Sequence, residues 1–113
     1  MSENLKHFLW DISAISHKVV QITVQYKNDS QSGLRSIVEI ANREGLTFTE
    51  DELEAVIINY ERLRNQEFEY SQYENIGFPQ KNGDEVISNA LQYFDKDFLR
   101  NLTLNYLKRH KSI

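Results

Sequence analysis

Apolar residues return along most of this chain at steps of three and four, the spacing that puts them on one face of a helix. Leu5, Phe8, Ile12, Ile15, Val19, Ile22 and Tyr26 alternate these steps without a gap, the heptad signature of a helix packed along a seam. The pattern predicts one long helix from Glu3 to Lys27. A strand is the rival within it, because Val20, Ile22, Val24 and Tyr26 alternate and β-branched residues are dense there. The seven-position match is longer and decides for helix. Trp10 lies off the seam beside Asp11 and is assigned to the edge of the core, with an exposed anchor for a partner as the alternative.

The central stretch Ile37 to Leu53 predicts a helical hairpin. Leu34, Ile37, Val38 and Ala41 share a face. Gly45 follows at the position where a left-handed residue ends a helix at little steric cost. Thr49 and Glu52 then form a capping box, with Glu50 and Asp51 suited to the positive end of the helix dipole. The second helix carries Leu53, Val56, Ile57, Tyr60 and Leu63 on one side and runs to about Gln66, with Glu54, Glu61, Arg62 and Arg64 on other sides. Leu46 and Phe48, in the link, are placed to staple the turn to the core.

Two breaks divide the remainder. The first, NDSQSGLRSI, offers turn chemistry at Asn28, Asp29, Ser30, Ser32 and Gly33. Its residues also count out as a degenerate calcium loop ending at Glu39. The chemistry argues against that, since calcium favours several carboxylates and two of the first three ligand positions are serines. The second break, residues 67–83, holds Phe68, Tyr70, Tyr73, Phe78 and Pro79 before Asn82 and Gly83. So many aromatics imply a connection packed across the helices; Tyr70, Tyr73 and Phe78 would otherwise form a protein-binding patch. Asp84 is placed to cap a helix with Val86, Ile87, Ala90, Leu91 and Phe94 inward. Asp95 or Asp97 would cap a last one, with Phe98, Leu99, Leu102, Tyr106 and Leu107 as its apolar side.

Composition narrows the function more by exclusion than by indication. The chain has 113 residues, 27% charged and 40% hydrophobic, and no cysteine. That rules out a disulfide framework, a thiol nucleophile and a cysteine-ligated zinc site. Its modest size leaves room for a partner or a homodimer. No apolar run approaches the roughly 18 residues of a membrane span. The opening MSENLKHFLW lacks the small-residue cleavage site of a secretory signal, so a cytoplasmic protein is expected. No phosphate loop, nucleophile elbow or dinucleotide fingerprint is present. Glu3, His7 and Asp11 fall on one helix flank, but such surface stripes are common, and neither a metal, a cofactor nor an enzyme is expected.

Charge is distributed unevenly. Glu39 to Glu74 contains ten acidic residues against three arginines, whereas residues 95–113 have five basic against two acidic. These are solvated faces that partly attract each other, or an acidic helix face that docks a basic partner through Glu50, Asp51, Glu54 and Glu61. Lys108, Arg109, His110 and Lys111 suit a helix C-terminus, and four basic residues on an acidic protein argue against nucleic-acid binding.

SENLKHFL and IVEIANREGLTFTEDEL together resemble the Nif-eleven-like leader-peptide domain, a family of small helical bacterial proteins common in cyanobacteria and nitrogen fixers. The matching positions are Phe8 and Leu9, then Ile40, Ala41 and Gly45, then Phe48, Thr49, Glu52 and Leu53, within residues 2–60. The resemblance implies a helical domain recognised by peptide-modifying enzymes. It stops short of a precursor: Gly77 and Gly83 are isolated, no cysteine supplies a modifiable core, and residues 84–111 read as folded helix. A stand-alone relative is therefore expected. The fold expected is all-α, a single-domain bundle of four to five helices around a central hairpin. The function expected is noncatalytic protein binding through Glu50, Asp51, Glu54, Glu61, Tyr70, Tyr73, Phe78 or Trp10. An immunity- or antitoxin-type inhibitor docking a basic partner on the acidic face is the alternative.

Overall fold

The computed structural model describes residues 2–64 and 81–110, apart from the side chains of residues 62–64 and 81–84. Among these residues the chain forms six α-helices and no strand: α1 (Glu3–Trp10), α2 (Ser16–Gln25), α3 (Ser30–Arg43), α4 (Glu50–Arg64), α5 (Lys81–Leu91) and α6 (Lys96–Arg109). The fold is an all-α bundle. The number exceeds four to five because the long N-terminal helix is broken. A 3₁₀ turn at Ile12–Ile15 separates α1 from α2, with the Ala14 N–H donating to the Asp11 carbonyl at 3.0 Å. Asp11, Ser13 and Ser16 crowd this point, and short polar side chains compete with the helical backbone for hydrogen bonds. The tighter turn shifts the buried face, so that Thr23 joins Val19 in the interior of α2 while Ile15 and Ile22 are only half-buried.

The central hairpin forms as its residues dictate. Gly45 adopts φ +83°, and the Leu46 and Gly45 N–H groups donate to the carbonyls of Ala41 and Asn42, both at 3.0 Å. These two bonds make the Schellman closure that satisfies the carbonyls at the end of α3. The Glu52 N–H donates to the Thr49 hydroxyl at 3.0 Å, and the Thr49 N–H donates back to the Glu52 carboxylate at 3.3 Å. Phe48 staples the link by packing on Phe8, with ring centroids 5.2 Å apart. Asn4 adds a bond from its side-chain amide to the Thr47 carbonyl at 2.9 Å. The N-terminus of α1 is thereby fastened to the turn that opens α4.

Both expected breaks end inside a helix. Asp29 caps α3, accepting from the Ser32 N–H and, at 2.7 Å, from its hydroxyl, so Ser30, Ser32 and Gly33 lie inside the helix. A side chain on Gly33 would overlap the ring of Phe98 and crowd Tyr26. This glycine serves a close helix crossing, not a turn. At α5 the helix starts at Lys81, which places Asn82, Gly83 and Asp84 in its first turn and not in a turn and cap before it. The cap of α6 is Asp95, which accepts from the N–H groups of Asp97 and Phe98 at 2.9 and 3.1 Å.

The core draws on every helix. Leu5, Phe8 and Leu9 from α1, Val19 from α2, Leu34, Ile37 and Ala41 from α3, Ile87 and Ala90 from α5, and Phe98 and Leu102 from α6 belong to one buried cluster, with the ring of Phe48 among them. α4 packs against α3, α5 and α6 and buries Leu53, Val56, Ile57 and Ile58. Surrounded on three sides, it buries more of its circumference than an amphipathic stripe allows. Glu54 and Glu61 therefore lie inside, at 5% and 7% exposure.

Polar groups tie the ends of the chain together. The Ser30 N–H, one of the unpaired donors at the start of α3, donates to the Asn101 side chain at 3.0 Å, and the Asn105 amide donates to the Ser30 hydroxyl at 3.0 Å. The Thr23 hydroxyl accepts from the Asp95 N–H at 3.0 Å while donating to the Val20 carbonyl. These groups are satisfied within the protein.

Candidate functional site

The acidic face expected on α4 is only partly available. Glu54 accepts from Arg109 and, at 3.4 Å, from Gln31, so its charge is balanced inside the bundle. Glu61 is buried beside Tyr60. Neither is an exposed docking group, because α4 is enclosed on the sides that carry them. Glu50 stays half-buried with its carboxylate 3.7 Å from Arg35, and of these four acids Asp51 alone is exposed. Glu52 completes the capping box with Thr49, and the Ser2 hydroxyl first, then Thr49, hold its carboxyl below the usual carboxylate range. Tyr70, Tyr73 and Phe78 fall outside the described residues.

The basic C-terminal stretch is also partly occupied. Arg109 is committed to Glu54, and His110 stacks on Tyr106 with centroids 4.1 Å apart. The attraction between the acidic and basic parts of the sequence is thus realised at one buried carboxylate. Leu107, expected on the apolar side of α6, is 53% exposed. At about 100° per residue it stands roughly 140° round the helix from Leu102, away from the inward face set by Phe98, Leu99 and Leu102.

Trp10 is 65% exposed, not a core-edge residue. Leu5, Phe8 and Leu9 define the buried side of α1, and Trp10 projects from the opposite side of the same helix. It borders an open groove formed with Leu9, Ile12 and Ser13 on one wall and Val86, Asn89, Gln92 and Tyr93 on the other. Among the described residues no charged side chain lines it. A second groove lies on the other side of Gln92, between α4, the end of α5 and α6. Its floor is Leu91, Phe94 and Leu99, and its edge carries Lys96, Arg100 and Leu104. Gln92 belongs to both, so the two form one surface.

His7 and Asp11 pair at 3.0 Å on the surface of α1, with both side chains more than half exposed. Among the described residues no three His, Asp or Glu side chains are grouped to hold a metal ion, and no helix is long and apolar enough to cross a membrane. The serines of the supposed calcium loop are turned to structure, with Ser30 bonded to Asn101 and Asn105 and Ser32 to Asp29.

The features define an all-α domain with an open, mixed aromatic and basic surface. No family model, no curated protein and no solved structure matches the chain.

Sequence reasoning misses the Lys96, Arg100 and Leu104 edge because these residues belong to different segments of the charge pattern from the acidic face it favours. The signal that could find them is the polar side of α6 itself, where a leucine stands one turn beyond two basic residues spaced by one turn.

Proposed function

We propose that this chain is a small noncatalytic domain that binds another protein, with Trp10 as an anchor of its docking surface. The observation that supports this is a tryptophan at 65% exposure beside a groove whose described lining carries no charged side chain. Exposed tryptophans carry disproportionate binding energy when a partner covers them. The resemblance of residues 2–60 to Nif-eleven-like leader domains favours a stand-alone, leader-like recognition domain of the bacterial cytoplasm, with a peptide-modifying enzyme as the class of partner. An inhibitor that docks a basic partner through α4 draws less support, since Glu54 is engaged by Arg109 and Glu61 is buried.

The test is capture from native lysate by the full chain and by its Trp10→Ala variant, read by mass spectrometry. A partner retained by the first and lost with the second is expected. Retention of the same proteins by both, or of none, overturns the proposal.

A further inference from the structure

The second groove has a chemistry that names its occupant. Its floor of Leu91, Phe94 and Leu99 is apolar, and Leu104 at its rim is 50% exposed. Lys96 and Arg100 stand along the rim, both exposed, one four-residue step and about 6 Å of helix rise apart. Among the described residues of the lining the one acidic side chain, Glu61, is 7% exposed and presents almost no charge to solvent. A protein of net charge −4 thus turns an apolar, positively rimmed groove outward.

We propose that this groove binds an acidic amphipathic helix of a partner protein. Carboxylates one helical turn apart on that segment meet Lys96 and Arg100. Large apolar side chains on the adjacent stripe cover Leu104 and the floor. A helix laid in a groove uses this division of labour, apolar anchors for affinity and charges at the rim for encounter and orientation. From Lys96 to Leu104 the rim spans about 12 Å, which matches two to three turns of a bound helix. The proposal rests on the protein-binding reading above and specifies its partner. Because Gln92 joins the two grooves, a segment lying along α6 can continue toward Trp10.

The experiment selects binders to the full-length chain from a displayed library of random 16-residue peptides. Enriched peptides are then titrated against the wild-type protein and against Lys96→Glu/Arg100→Glu, Leu104→Ser and Trp10→Ala variants, each checked for an unchanged helical circular dichroism spectrum. The expected result is a consensus of acidic residues at four-residue spacing with leucine or aromatic anchors. Its affinity should fall with added salt and weaken roughly tenfold or more in the charge-reversed variant. Amide chemical shifts should move within residues 88–104. A consensus without acidic residues, or one indifferent to Lys96→Glu/Arg100→Glu, overturns the proposal. So does concentration-dependent self-association that moves the same amides, since a second copy is then the occupant. Peptides that need Trp10 but not Lys96 and Arg100 would sink this inference and leave the protein-binding reading standing. Failure to enrich any peptide counts against both.

Discussion

Arg109, in the last turn of α6, closes on the carboxylate of Glu54 in the second turn of α4. The arginine is 44% exposed along its side chain and the glutamate 6%. The pair is therefore asymmetric: removing Arg109 strands a buried acid, whereas removing Glu54 releases an arginine to water. Arg109→Ala should destabilise the protein by about 1–3 kcal/mol, below the usual penalty for a fully buried pair because half of this one is wet. Glu54→Gln, which keeps an acceptor for both Arg109 and Gln31, should cost about 1 kcal/mol or less. Urea denaturation of both variants checks the order. Equal losses would show that the burial of Glu54 is not the deciding term.

Gly33 sets how closely α3 approaches α6. Alanine would gain about 1 kcal/mol from helix propensity, but its methyl overlaps the Phe98 ring, and overpacking a core costs about 1–3 kcal/mol. Gly33→Ala should be destabilising on balance. Adding Phe98→Leu to it should recover part of that loss, whereas Phe98→Leu alone should destabilise. Thermal unfolding of the three variants shows whether the two positions are coupled in this way.

Glu52 links pH to stability. Its carboxyl is held below the usual range, chiefly by the Ser2 hydroxyl and then by Thr49. A depressed folded value means that the contribution is present in full above the unfolded carboxylate range. It is lost as pH falls through the folded value. The stability difference between wild type and Glu52→Gln should therefore shrink on acidification from neutrality to about pH 3, near and below the ordinary glutamate value. Ser2→Ala should bring the Glu52 titration back toward that ordinary value. Carboxyl NMR titration reads this directly, and an unmoved Glu52 in Ser2→Ala would remove Ser2 as its cause.

Trp10 should be dispensable for folding. Its side chain is mostly in water, and surface substitutions of this kind usually fall within about 0.5 kcal/mol. Trp10→Ala is expected to unfold at nearly the wild-type denaturant concentration. A loss above roughly 1 kcal/mol would place the indole in the core and undercut its use as a docking anchor.

The parts of the fold that can be read from the chain are those whose cause is local. Gly45, Thr49 and Glu52 specify a helix end and a helix start within eight residues, and the structure forms both. Asp95 caps α6 for the same reason. Misplaced features depend on what lies across the bundle. Gly33 resembles a turn residue until Phe98 is brought against it. Glu54 and Glu61 resemble surface acids until α3, α5 and α6 enclose α4. The break at Asp11 interrupts an uninterrupted heptad pattern, because apolar spacing records which side of a helix is buried and not whether its backbone stays α-helical. Trp10 is a different case: the angular position of Leu5, Phe8 and Leu9 already points it outward, and wheel geometry is a better guide to it than aromatic character. Of the candidate docking residues that the structure describes, Trp10, Glu50 and Asp51 reach the surface. Lys96 and Arg100 emerge only when α6 is set beside α5.

The polar ties of α6 also constrain the order in which the molecule can become stable. Ser30 is joined to Asn101 and Asn105 across 71 and 75 residues of sequence, and Thr23 to Asp95 across 72. For a helical protein these are long loops to close, and non-local closure slows folding relative to bundles held by neighbouring helices. A nascent chain that has emerged only as far as Phe94 has the sequence of α1 to α5 but neither the cap of the Ser30 N–H nor the ring that Gly33 is shaped to receive. The first third of the protein thus waits on the last helix.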